Sequence, residues 1–139
     1  MSEKIFDPVF TESGESLEAY ADFVAIVRQL RRDCPWDQVQ THESVKHLLI
    51  EEAYETVEAI DDEDWTQLRK ELGDILLHVV FHSVMAAEEG TFTLKDVIDS
   101  ESEKLIRRHP HVFGDTEVDN VQDVLTNWET IKIREGEKK

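Results

Sequence analysis

Apolar residues recur three and four positions apart along most of the chain, the period of an amphipathic α-helix rather than the alternation of a strand. That spacing predicts a first helix over 16–32, halted at Cys34-Pro35-Trp36-Asp37 because a proline disfavours helix at the residue before it. A second helix is predicted over 43–60 and a third over 65–89. Between them lies Asp61-Asp62-Glu63-Asp64, with Asp64 as N-cap and Gln67 three residues on completing a capping-box pattern. Gly90 is placed to end the third helix, and Thr93 followed by Asp96 reads as the next cap. A fourth helix then reaches about Arg108, where His109-Pro110 stops it, and a short last helix covers 120–134. The predicted fold class is all-α, a bundle of four to five helices over 17–134, with a loose lead-in at 1–16 and a frayed tail at 135–139.

The helix faces carry more information than the helix count. On the second helix Leu49, Ile50, Ala53, Val57 and Ile60 gather on one side, while Glu52 and Glu55 lie near the opposite side with Glu51 and Glu58 flanking them. No lysine is interspersed among these acids between Leu48 and Ile60, as an ordinary surface helix would have. The third helix is apolar nearly all round from Leu72 to Ala86, the mark of a helix buried on most sides. Its exceptions, Glu71, Asp74, His78 and His82, fall on one stripe. So much apolar surface is more than one small bundle covers, which predicts at least a homodimer.

Composition narrows the function classes. A chain of 139 residues has the size of one domain and buries an ordinary core. With 32 acidic against 15 basic side chains, a net charge of −17 repels a phosphate backbone and argues against nucleic acid as a partner. The single cysteine, Cys34, reads as structural and points to a reducing compartment, with the cytoplasm as default. The first sixteen residues lack the basic-then-apolar order of a signal peptide, and the longest apolar stretch, Ile75 to Phe81, is broken by His78, so no membrane partner is expected.

The acids pose an electrostatic problem. Two carboxylates about 4 Å apart repel by on the order of 4 kcal/mol at an effective dielectric near 20, so converging acids need a cation among them. Lysine or arginine from other helices could serve, but only Lys70 lies close in sequence. The pairs Glu52/Glu55 and Glu71/Asp74 are all-oxygen sets and lack the Glu-x-x-His pattern of a di-iron bundle, which favours Mg²⁺ or Mn²⁺. His78 and His82 then read as satisfied core histidines or as supports behind the ligands. Lys104, Arg107 and Arg108 concentrate three of fifteen basic residues in five positions, either to meet phosphate or to complement the end of their helix. Trp128 fits packing or base stacking, and Trp36 reads as core. There is no Gly-rich phosphate loop.

Glu51-Glu52-Ala53-Tyr54-Glu55, fifteen residues, then Glu71-Leu72-Gly73-Asp74 resembles the EExxE…ExxD signature of the MazG family of all-α pyrophosphatases. The resemblance extends to Cys34-Pro35-Trp36-Asp37 with Gln40-Thr41-His42, to the run from Lys104 through Arg108-His109-Pro110 to Gly114, and to Asn127-Trp128-Glu129 with Ile131-Lys132, about residues 20 to 132 in all. It implies Mg²⁺-dependent hydrolysis of nucleoside triphosphates to monophosphate and pyrophosphate by a dimerising helical bundle, with Mn²⁺ as substitute. It implies Glu52, Glu55, Glu71 and Asp74 as metal ligands, with Glu51 behind them. Glu51, Glu55 and Glu71 are the catalytic candidates, and Lys70, Lys104, Arg107, Arg108 and Trp128 the substrate-binding ones. Many members of the family carry two tandem copies of the domain, whereas this sequence holds one. Two other readings stand beside this one: a non-catalytic acidic interaction module, and a narrow-specificity pyrophosphohydrolase for dUTP, dCTP or damaged nucleotides.

Overall fold

The computed structural model describes residues 5–136, and among them there is no strand. Seven α-helices follow in order: α1 Gly14–Asp33, α2 Pro35–Gln38, α3 His42–Asp61, α4 Trp65–Glu89, α5 Leu94–Arg108, α6 Pro110–Phe113 and α7 Val121–Glu135. The five long helices are those expected from the apolar spacing. The two extra ones are single turns begun by Pro35 and Pro110, because a proline that ends one helix is suited by its fixed φ to open the next. Pro8–Phe10 adds a 3₁₀ turn ahead of α1, within the expected lead-in. Residues 1–4 of that lead-in and 137–139 of the expected tail lie outside the described residues.

The chain forms two compact units, Glu12–Leu94 and the described part of Met1–Thr11 with Lys95–Lys139. In the first, side chains close the starts of the three long helices α1, α3 and α4. Ser13 accepts from the Ser16 amide, and Thr41 and Ser44 cap α3 reciprocally. Asp64 accepts from the Gln67 amide as expected, but the Gln67 side chain does not return to the cap. It reaches forward one turn to Glu71 instead. Gly90 ends α4 in the left-handed region at φ 75°, where a side chain would be strained.

α3 packs along α4, and α1 packs on α4 beside it. Val24 and Val27 of α1, Val45 of α3, and Val80, Phe81 and Met85 of α4 form the core. Two apolar faces are left outward in the single chain. The apolar stripe of α3 does not face inward: Leu49, Ile50, Val57 and Ile60 are 40–59% exposed. α4 is not buried on most sides either, since Leu72, Leu76 and Val79 are 40–52% exposed. The physical reason is that α3 meets α4 through the face bearing Val45, Leu48, Glu52 and Ala59, so the side that carries Glu52 is the inner one.

In the second unit, Asn120 caps α7 by accepting from the Asp123 amide, and Gly136 closes it at φ 76°. Arg107 and Arg108, in the last turn of α5, reach Glu135 in the last turn of α7.

Candidate metal centre

One helical turn separates Glu52 from Glu55 on α3, and Glu71 from Asp74 on α4, so the packing of the two helices brings both pairs onto one seam. Glu52, Glu55 and Glu71 each offer a carboxylate oxygen, and these oxygens lie within 4.8 Å of one another. Glu71 is buried, Glu52 half-buried and Glu55 exposed, so the cluster runs from the helix interface to solvent. Asp74 stands against Glu52.

No internal cation relieves this crowding. Among the described residues none of the four acids forms an ion pair, and exposed Lys70 forms none either. The single neutral donor is Gln67, whose Nε2 donates to Glu71 Oε1 at 2.9 Å. Glu52 Oε2 and Glu71 Oε2 are buried and have no hydrogen-bond partner. Burial, then the charges of Asp74, Glu55 and Glu71, push the Glu52 carboxyl up to about 7. A hydrogen bond with Glu71, then the charge of Glu71, raises the Glu55 carboxyl, to which exposed Glu51 also contributes. The residues fit a hard divalent cation: the donors are all oxygen, two are desolvated and unpartnered, and no lysine or arginine competes for them.

One of the two histidines behind the acids, His82, differs from expectation. His82 is not satisfied, because its Nε2 is buried without a partner. Its Nδ1 lies 2.7 Å from Nδ1 of His42, whose ring stacks on it and whose Nε2 is 3.5 Å from Glu89 Oε1. Burial depresses His78 against the opposing pull of Asp74, and burial, His42 and His78 together depress His82. His42 was legible only as part of a motif, since its partner lies 40 residues away.

Trp36 is not core; it is 55% exposed and lines a cavity of about 170 Å³ with Leu48, Leu77, His78 and Phe81. Glu52 and Asp74 form part of the same wall, so the cavity opens onto two of the four acids.

Apart from Lys70 on α4, the basic candidates belong to the second unit. Lys104 pairs with Glu101 at 2.9 Å, and Arg107 pairs with Glu103 and Glu135. Arg108 is 5% exposed; its Nε and Nη2 donate to Glu135 Oε1 at 3.2 and 3.0 Å. Trp128 packs over its guanidinium at 5.4 Å and takes the His109 ring against its own at 5.0 Å. Nothing in the sequence singled out Glu135, because its role depends on how α7 returns to α5.

The model of the MazG nucleotide pyrophosphohydrolase domain matches residues 40–113, which include all four acids. The chain is 50% identical over 122 residues to a protein of Thermotoga maritima named nucleoside triphosphate pyrophosphohydrolase/pyrophosphatase MazG, covering 86% of this chain and 46% of that protein. It is 47% identical over 133 residues to the uncharacterized protein YabN of Bacillus subtilis, covering 94% of this chain and 27% of that one. The chain therefore spans less than half the length of either relative. In fold it is similar to the crystal structure of a mazG-related protein from Thermotoga maritima, with a TM-score of 0.70 at 24% identity over 81% of this chain and 98% of that one. With the domain model matched over more than half its length and the signature acids gathered on one seam, this chain belongs to the MazG family.

Proposed function

We propose that this chain hydrolyses nucleoside triphosphates between the α and β phosphates, releasing a monophosphate and pyrophosphate, with Mg²⁺ as cofactor and Mn²⁺ as substitute. The observation that carries the reading is the pair of buried, unpartnered oxygens, Glu52 Oε2 and Glu71 Oε2, in a carboxylate cluster with no internal cation. The name of the Thermotoga maritima relative supports the reaction class.

Glu52, Glu55, Glu71 and Asp74 would hold the ion. When bound it supplies positive charge to the triphosphate oxygens and acidifies a coordinated water. The chain's own part is to keep four carboxylates converged against their repulsion, with Glu71 locked by burial and Glu55 open to solvent. Glu51 and Glu55, both exposed, would orient the attacking water or accept its proton. An apolar part of the substrate seated in the Trp36 cavity would lie beside Glu52 and Asp74. Lys70, Lys104, Arg107, Arg108 and Trp128 are the proposed substrate contacts, and Arg107 and Arg108 would exchange the Glu135 carboxylate for phosphate oxygens. The outward apolar stripe of α3, Leu49, Ile50, Val57 and Ile60, supports assembly as a homodimer. No helix of the described residues is long and apolar enough to cross a membrane, in keeping with a cytoplasmic enzyme of nucleotide-pool housekeeping.

The test is pyrophosphate release from a panel of ribo- and deoxynucleoside triphosphates with and without Mg²⁺. Metal-dependent release from at least one of them is expected. Absence of turnover on the whole panel would leave the acidic interaction module as the better reading.

A further inference from the structure

Gln67 occupies the third position of α4, and the sequence pattern assigns its side chain to the helix cap. The structure gives that amide a different task. Asp64 Oδ1 accepts from the Gln67 backbone N–H at 3.1 Å, which secures the first turn of the helix without the side chain. The freed side chain lies one turn before Glu71 on the same face, and its Nε2 donates to Glu71 Oε1 at 2.9 Å. Glu71 is 3% exposed, and its other oxygen, Oε2, is buried with no partner. One oxygen of this carboxylate is therefore held and the other left bare.

We propose that Gln67 is a positioning residue for the cation site: its amide pins one oxygen of Glu71 so that the second stays presented to the ion. The inference rests on the metal-centre reading of the carboxylate cluster. Its physical basis is the neutrality of the donor. A lysine or arginine in that place would orient Glu71 equally well but would cancel the charge that attracts a divalent ion. A glutamate would add one more acid to a seam already short of cations. An amide orients without neutralising, and hydrogen bonds from outside the ligand set that fix a carboxylate strengthen metal binding by roughly 10- to 100-fold.

The test is Mn²⁺ affinity, measured by isothermal titration on the full chain without substrate. Gln67→Met keeps the length of the side chain and removes the donor; Gln67→Leu also removes the donor, with a shorter, branched side chain. Both are expected to weaken Mn²⁺ binding by about tenfold or more, while the cation-free melting temperature stays within a few degrees of wild type because Asp64 still caps the helix. A merely structural role for Gln67 would move the melting temperature and leave the affinity alone. Affinity within twofold of wild type in either folded variant overturns the positioning role. Should wild type itself fail to bind Mn²⁺, the metal-centre reading fails, an outcome separable from failure of Gln67 alone.

Discussion

The chain gathers like charges in two places and treats them in opposite ways. On the seam of α3 and α4, Glu52, Glu55, Glu71 and Asp74 converge with no cation among them, and two of their oxygens are buried bare. Between α5 and α7, Arg107 and Arg108 lie side by side, but Glu135 takes hydrogen bonds from both, and Trp128 covers the buried guanidinium. The arginine pair is complete within the fold. In the proposed reading the carboxylate cluster is completed by an ion from outside. A fold keeps uncompensated charge together at a cost in stability, so that cost marks where an external ion is expected.

Breaking the acidic side should have the largest effect. Glu71→Gln is expected to lower kcat by about 10³-fold at saturating Mg²⁺, because it removes charge that matters most in the transition state. Lys104→Ala, at a half-buried residue on the basic side, should instead raise KM by about tenfold with much of kcat retained, the signature of a contact already made in the ground state. Steady-state pyrophosphate release for both variants decides it. Wild-type kcat in Glu71→Gln would make the cluster structural.

Breaking the basic side should show in stability. Glu135→Ala removes the carboxylate that Arg107 and buried Arg108 share, and the melting temperature should fall by about 5 °C or more whether or not Mg²⁺ is present. A fall that depended on Mg²⁺ would contradict the contrast between the two clusters.

The acidic cluster should respond to metal in the opposite sense. At Mg²⁺ about 100-fold above its dissociation constant, mass action contributes about 2.7 kcal/mol, or roughly 5–10 °C for a chain of this size. Calorimetry on Glu55→Gln should show most of that increment gone. Equal increments in wild type and mutant would remove Glu55 from the ligand set.

The smallest effect is a pH dependence without metal. The Glu52 carboxyl titrates at about 7 in the folded protein, against roughly 4.3 in an unfolded chain. Between those values the folded state keeps a proton that the unfolded state has released, so this group's contribution to stability declines as pH rises through the window. Glu52→Gln cannot ionise. It should melt a few degrees above wild type at pH 8 in chelator and match it at pH 5, after allowing for water that reaches the half-buried group. A difference that grew toward low pH would invert the assignment.

The sequence alone determined the all-α class and the five long helices, because helix period, caps and breakers are local: Asp64, Gly90, Asn120 and the two prolines act within a few residues of themselves. It also determined the candidate acids, since i, i+3 spacing places Glu52 by Glu55 and Glu71 by Asp74 on any helix. The tertiary structure decided which face turned inward. Periodicity reports that α3 has an apolar and an acidic side but carries no information about which one meets α4, and the acidic side does. That left Leu49, Ile50, Val57 and Ile60 outward and Trp36 over a cavity. It also decided every pairing between distant residues: His42 with His82, Arg107 and Arg108 with Glu135. The same local ambiguity governed Gln67, whose side chain can serve its cap or the next turn. Only the fold decides it: the Asp64 N–H at the cap donates to Ala59 O at 3.0 Å, which leaves the Gln67 side chain to Glu71 on the buried seam.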